Sequence, residues 1–159
     1  MKRFLGILLS LVMVCVCLAG CGNEDSEKHG ISDLYSLKTE FVGDNSKVSG
    51  IVHSQEYDDD IEPADIEIQS EKEPYGLNIN VKVEDEEVGK ADLFNNAVID
   101  FALIGNLSEI DFVNRDNKDL IAHFSRDEVD SFLKESGYPS IETIGASEEN
   151  LLDYINKTE

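Results

Sequence analysis

The clearest pattern in the chain is an alternation of apolar and polar residues on both sides of a turn. Ile66 and Ile68 alternate with polar residues, and the apolar positions of residues 77–83 do the same. A period of two residues gives each strand one apolar face. The intervening segment 73–76, Glu-Pro-Tyr-Gly, contains the proline and glycine that are typical of turns. We therefore predict an antiparallel β-hairpin over residues 65–84.

A helical spacing follows the hairpin. Asp92 is a candidate N-cap, and Gly105 with Asn106 provides the residue types that end a helix. Asp100 is the single charged residue between Asp92 and Glu109, so we expect this helix to be the most buried. The apolar residues that recur at three- and four-residue intervals are Phe94, Ala97, Val98, Phe101 and Ile104.

The remaining elements follow from similar patterns. Residues 109–112 and 120–124 can form a second strand pair, and residues 125–128, Ser-Arg-Asp-Glu, form a capping box that begins a helix. Residues 44–52 predict a short helix before the first hairpin, and residues after Ser147 predict another at the end. This order indicates an α+β fold: a small antiparallel sheet of about four strands, in two hairpins and covered by helices, in a single domain over residues 32–159.

The N-terminal residues carry a different pattern. Lys2 and Arg3 precede an apolar run from Phe4 to Leu18, and no acidic residue occurs before Glu24. This order of charge and hydrophobicity is typical of a secretory signal peptide. The run is shorter than the roughly 20 apolar residues that a membrane-spanning helix needs. We therefore predict that residues 1–20 are removed during export.

The end of this run, residues 18–21 with the sequence Leu-Ala-Gly-Cys, resembles the lipobox of bacterial lipoproteins. The resemblance implies that Cys21 is lipidated and becomes the first residue of the mature protein. We predict a lipid anchor at the outer face of the cell membrane, followed by a flexible tether over residues 21–31. The alternative is an ordinary signal peptide, or an uncleaved anchor, in which Cys21 occurs by chance.

The net charge of the chain indicates which classes of partner it can bind. The whole chain has a net charge of −21, and removal of Lys2 and Arg3 with the signal peptide makes the mature net charge −23. Such a charge excludes the basic surface that nucleic-acid binding requires. It favours cationic partners such as basic peptides, polyamines or divalent metal ions, and we predict a cationic peptide or protein at the cell envelope. The alternative is that acidity only keeps an exported domain soluble.

Three stretches of the chain resemble the DUF4825 family, an uncharacterised extracytoplasmic domain of Gram-positive bacteria. They are residues 34–48, residues 73–77, and residues 101–106 together with Ile110 and Phe112. The resemblance covers most of residues 32–135. It implies a lipoprotein context and a sensing role, and it supplies no catalytic residue.

The sequence contains no motif for a familiar enzyme or cofactor. His29, His53 and His123 do not form a His-Glu-x-x-His pattern, and Cys21 is the single cysteine of the predicted mature chain. We therefore expect no catalytic residue, no cofactor and no metal site. Because serine triads can be scattered along a sequence, an envelope hydrolase remains an alternative, as does a structural lipoprotein.

Two segments are candidates for a partner surface. The first contains Asp44, Asn45 and Lys47, in a polar stretch that can equally be the capped N-terminus of a helix. The second is an acidic run over residues 56–73, which lacks the Asp-x-Asp-x-Asp-Gly spacing of a calcium loop. Its densest part is Asp58, Asp59 and Asp60. We expect a non-enzymatic module that binds or senses a partner through such surfaces.

Overall fold

The computed structural model describes residues 24–84 and 88–158, with side chains from residue 30 onward. The predicted signal peptide and the predicted lipidation site, Cys21, lie outside these residues. The described chain forms a four-stranded sheet and six helices. In chain order, the elements are α1 Glu24–Ser36, α2 Asn45–Ser54, β1 Ile61–Gln69, β2 Gly76–Val83, α3 Phe94–Leu103, β3 Glu109–Asn114, β4 Leu120–Ser125, α4 Arg126–Glu135, α5 Ile141–Ile144 and α6 Glu148–Thr158.

The sheet has the strand order β1-β2-β3-β4. The two predicted hairpins are present, because β1 pairs antiparallel with β2 and β3 pairs antiparallel with β4. The two central strands are parallel, so the prediction of a wholly antiparallel sheet was wrong for this pairing. The reason is helix α3, which crosses over between β2 and β3 and returns the chain to the same end of the sheet. The fold is therefore α+β with a mixed sheet.

The register of the sheet separates an apolar face from a polar face. Ile66 pairs with Ile79 and Ile68 pairs with Leu77, as the alternation predicts. Leu77, Ile79 and Val81 of β2 are fully buried, whereas Asn78 and Lys82 are partly exposed on the opposite face. Because side chains alternate along a strand, the helices cover one face and leave the other to polar residues.

Helix α3 is the core helix, as its apolar composition predicts. Phe101 is 1% exposed, and the ring of Phe94 packs edge-on against Phe124 of β4 at a centroid distance of 6.0 Å. The helix begins at Phe94 without a side-chain cap, because the Asp92 carboxylate accepts from the Gly89 backbone N–H instead. The predicted N-cap role of Asp92 was therefore wrong.

Arg126 closes the other end of α3. Its Nη2 donates to the carbonyl oxygens of Phe101 and Ile104, each at 2.7 Å. These carbonyls lie where a helix runs out of backbone partners, and a cation is favoured at the negative end of the helix dipole. The first residue of α4 thus fixes the C-terminal end of the core helix.

A close backbone contact joins α5 to α3. A Cβ atom on Gly145 would lie 2.1 Å from the carbonyl oxygen of Ala102. Any larger residue would therefore force the two helices apart. The four-residue helix α5, which ends at this glycine, was not predicted from the sequence.

Helix α1 corrects the prediction for the N-terminal tether. Residues 24–31, predicted to be irregular, belong to a 13-residue helix. The second half of this helix carries Ile31 and Leu34, which join the hydrophobic core, and α1 contacts α6. Tertiary packing thus supports a polar segment that has low helical periodicity of its own. Within the described residues, no helix is long and apolar enough to cross a membrane.

Candidate functional site

A groove of about 670 Å³ lies among four helical elements. Helix α1 forms one side, the end of α2 and the loop after it form a second, and the first turns of α3 and the end of α6 complete it. Its volume is within the range of small-molecule and side-chain binding sites. The lining residues are Gly30, Ile31, Leu34, Ser54, Gln55, Glu56, Tyr57, Asp58, Asp92, Asn95, Asn96, Ile99, Ile155, Asn156 and Thr158.

A buried polar cluster holds one wall of this groove. Gln55 Nε2 donates to Asp100 Oδ1 at 2.6 Å, and Asn96 Nδ2 lies 3.2 Å from Gln55 Oε1. Asn96 Nδ2 also donates to the backbone carbonyl of Glu56 at 2.9 Å. Gln55 and Asn96 line the groove, while Asp100 lies behind them on α3 and is 0% exposed. These bonds fix the loop after α2 against α3.

Two polar atoms of this cluster are unsatisfied. Asp100 Oδ2 and the Tyr57 hydroxyl are buried and have no hydrogen-bond partner among the described residues. Buried polar groups in native proteins are nearly always paired, because an unpaired one costs about 1 to 3 kcal/mol.

Burial raises the pKa of the Asp100 carboxyl to about 8, and the hydrogen bond from Gln55 opposes this shift. Asp100 is therefore protonated at neutral pH. Burial also raises the pKa of the Tyr57 hydroxyl, and the neighbouring Asp100 carboxyl raises it further. Both groups are thus neutral near pH 7, so the buried wall carries hydrogen-bonding groups without a net charge.

The rim of the groove, in contrast, is acidic. Glu56, Asp58 and Asp92 are exposed and line the opening. Among the described residues that line the groove there is no lysine, arginine or histidine. The charges at the opening therefore share one sign, and they attract cations.

The first predicted partner surface has a structural role. The Asp44 carboxylate accepts from the Lys47 backbone N–H at 3.4 Å and caps α2, and Asn45 is the first residue of that helix. The Lys47 ammonium donates to the carbonyl of Lys38 at 3.1 Å. These contacts agree with the capping alternative, and they do not test whether the same residues also meet a partner.

The second predicted surface lies at the opposite end of the same helix. Asp58, Asp59 and Asp60 are exposed in the loop between α2 and β1, and Asp58 lines the groove. Because α2 has ten residues, about 15 Å separate this loop from Asp44. The structure therefore does not join the two predicted surfaces into one.

Sequence reasoning missed Gln55, Tyr57 and Asn96, and it treated Asp100 only as a mark of the burial of its helix. A usable signal was present: a lone carboxylate within an apolar helix must either be exposed or find partners. Gln55 and Asn96 are ordinary polar residues in the sequence. Their role depends on contacts between residues more than 40 positions apart, which no local pattern shows.

His53 and His123 do not line the groove. On the open face of the sheet, His123 Nδ1 lies 2.6 Å from Asp111 Oδ1, and both side chains are partly exposed. His53 Nδ1 lies 2.8 Å from the carbonyl oxygen of Ser49 in its own helix. The side chain of His29 lies outside the described part of the chain. In that part, no three His, Cys, Asp or Glu residues are grouped so as to hold a metal ion.

Part of the chain matches a known protein family. The model of a domain of unknown function, DUF4825, matches residues 34–127. The chain belongs to the DUF4825 family. No curated protein and no solved structure matches it. The matched DUF4825 region contains the polar cluster, whereas Gly30, Ile31 and the groove residues on α6 lie outside it. The groove therefore combines the family region with residues on both sides of it.

Proposed function

We propose that this DUF4825 protein is a lipoprotein, anchored through Cys21 at the outer face of the cell membrane, that binds or senses a partner without catalysis. The groove is the observation that carries the binding role. Its wall is rigidly bonded, and its opening has a uniform charge. A concave site with preformed polar groups is what ligand binding requires.

The position of the groove suits a membrane-tethered module. Gly30, Ile31 and Leu34 of α1 line it, and Gly30 follows the proposed anchor residue, Cys21, by nine positions. Such a short connection keeps the groove close to the bilayer. A partner would therefore meet it at the membrane surface, where envelope peptides and proteins are concentrated.

The partner that we propose is a cationic peptide or protein. The mature chain carries a net charge of −23, and Asp58 lines the groove, with Asp59 and Asp60 exposed next to it in the same loop. Charges of one sign around an opening speed the encounter with partners of opposite sign. The same charge opposes nucleic acid, so this class of partner is not part of the proposal.

The anchor is tested by Cys21→Ala. Without the thiol no thioether to lipid can form, so acyl labelling should disappear and the protein should leave the membrane fraction or persist as an unprocessed precursor. Metabolic labelling with a lipid analogue and fractionation of cells provide the measurement. A Cys21→Ala protein that is still processed, acylated and membrane-bound would show that the anchor lies elsewhere.

Binding is tested by crosslinking capture from intact cells, with the wild type and an Asp58→Asn, Asp59→Asn, Asp60→Asn variant. Partners captured by the wild type should present a basic patch, and their affinity should fall as salt is raised because the Debye length shortens from about 10 Å at 0.1 M. The variant should associate more slowly with little change in dissociation. Acidic partners, or binding that ignores both salt and the substitutions, would contradict a cationic partner.

A further inference from the structure

The floor of the groove is apolar, although its opening is acidic. Ile31 and Leu34 of α1, Ile99 of α3 and Ile155 of α6 all line the cavity. Ile31 and Ile155 are only partly buried, so they offer apolar surface to an occupant. Burial of a methylene group on such a surface stabilises binding by about 0.8 kcal/mol, which corresponds to several-fold in affinity. An occupant without an aliphatic part would leave this contribution unused.

The groups around the floor select the polar end of the occupant. The carboxylates of Glu56, Asp58 and Asp92 lie at the rim, and Asn95 and Asn156 add amide side chains. An ammonium group has three donors and no acceptor, so carboxylate and amide oxygens can satisfy it fully. A carboxylate or phosphate would meet three like charges, with no cation of the groove lining to offset them.

The spacing of the carboxylates argues against a bare divalent cation. Calcium takes six to eight oxygen ligands within about 2.6 Å, and magnesium requires a tight octahedron. The described residues contain no cluster of three acidic or histidine side chains that could converge on one ion. Carboxylates that are distributed around a rim, above an apolar floor, instead suit a cation that carries its own aliphatic chain.

We propose that the groove binds an aliphatic ammonium group, with its alkyl chain on the isoleucine floor and its charge at the Glu56, Asp58 and Asp92 rim. The group can come from the lysine side chain of a peptide or from a free polyamine. This inference rests on the proposed binding function and names the chemical group that the same site recognises. Asp100 and Tyr57 would keep the wall rigid and uncharged beneath the occupant.

Isothermal titration of the full-length protein in detergent provides the test, with three kinds of probe. A series of n-alkylamines from methylamine to pentylamine, each with one charge, measures the aliphatic contribution, and affinity should rise with chain length. The free diamine is 1,5-diaminopentane. A lysine-rich peptide and its acetylated form distinguish the peptide source from the free amine, because acetylation removes the charge. Calcium chloride serves as the metal probe, and it should bind more weakly than 1,5-diaminopentane.

Two matched variants distinguish the effect of the rim carboxylates on amine affinity from the effect of net charge. The rim variant is Glu56→Gln, Asp58→Asn, Asp92→Asn, and the control is Glu67→Gln, Glu71→Gln, Glu135→Gln, which changes the net charge equally at exposed positions outside the groove. We expect the rim variant to lose about tenfold in amine affinity and the control less than threefold. Ile155→Ala should flatten the dependence on chain length. Circular dichroism melts verify that every variant is folded.

Equal losses in the rim and control variants, no dependence on chain length, or tighter binding of calcium would overturn the ammonium site. The outcome for the binding function is separate. If no amine or lysine peptide binds while intact cells still yield crosslinked partners, the groove chemistry is wrong and the binding function stands. If only the lysine peptide binds, the occupant is a protein segment; if the free diamine binds equally well, the site takes polyamines.

Discussion

Two carboxylate and amide pairs in this molecule have opposite environments. On the open face of the sheet, Asn80 Nδ2 donates to Asp65 Oδ1 at 2.9 Å, and Lys118 Nζ lies 3.3 Å from Asn80 Oδ1. Asn80 is 3% exposed, but Asp65 is in contact with solvent. In the groove wall, Gln55 donates to Asp100, whose second oxygen has no partner among the described residues.

The two carboxylates differ in what their environments cost in stability, because Asp65 is exposed and Asp100 is buried. The second carboxylate oxygen of Asp65 lies 3.8 Å from Arg115 Nε and is open to solvent, so both oxygens of this carboxylate have partners or access to water. The carboxyl of Asp100 is fully buried and accepts one hydrogen bond from Gln55, and burial raises its pKa to about 8, so it is neutral near pH 7. Residues that break the rules of stable packing are often found at functional sites. By this criterion the groove, rather than the open face of the sheet, is the candidate for function.

The largest effect is expected at Asp100, in the pH dependence of the free energy of unfolding. The pKa of Asp100 is about 8 in the folded protein, against an ordinary value of about 3.9 in an unfolded chain. The folded state binds this proton more tightly than the unfolded state does. The contribution of Asp100 to the free energy of unfolding is therefore fully present below about pH 4 and is lost as the pH rises to about 8. The limit of about 1.4 kcal/mol per pH unit amounts to about 4 kcal/mol over three units, and we expect a loss of about 3 to 4 kcal/mol between pH 5 and 8 because the slope decreases near pH 8.

Asp100→Asn is the control for this dependence. An asparagine keeps an oxygen to accept from Gln55 and cannot ionise, so the variant should lack this loss and exceed the wild type in stability at pH 9. Urea melts of both proteins across the pH range provide the data. The acidic groups with lowered pKa values, Glu62 and Asp130, act at lower pH and are common to both proteins. Parallel curves for the two proteins would mean that Asp100 is ionised when folded.

A smaller effect is expected on the sheet. Asn80→Ala removes the hydrogen bonds to Asp65 and Lys118, but both of these groups reach solvent and can be hydrated again. We expect a loss of about 1 kcal/mol in the free energy of unfolding, with no dependence on pH between 5 and 8. A loss of several kcal/mol in a urea melt would show that the open face is as sensitive as the groove wall.

Much of the fold could be predicted from the sequence because it depends on local periodicity. The alternation around Ile66 and Ile79 fixed the first hairpin, and the spacing around Phe101 identified the core helix. The parallel pairing of β2 with β3 could not be read in this way, because strand direction depends on where α3 returns the chain. Helix α1 was missed since its support comes from packing against α6, which lies more than 100 residues away.

The site was less predictable than the fold for the same physical reason. Asp58 was selected for its charge, and the structure places it at the groove, whereas Asp44 and Lys47 were selected for composition and belong to a helix cap. The groove requires four segments to meet, and its polar wall joins Gln55 to Asp100 across 45 positions. Charge and periodicity identify single residues, but they do not say which of them will share a cavity.

Site-specific photocrosslinking in intact cells distinguishes the groove from the open face of the sheet as the binding surface. A photoreactive amino acid replaces Asn156 in the groove or Glu67 on the outer face of the sheet, both of which are exposed. We predict that position 156 yields a discrete crosslinked product that competing lysine-rich peptide or diamine reduces, and that position 67 yields none. A product at position 67 with none at position 156 would show that the partner binds the open face of the sheet and not the groove.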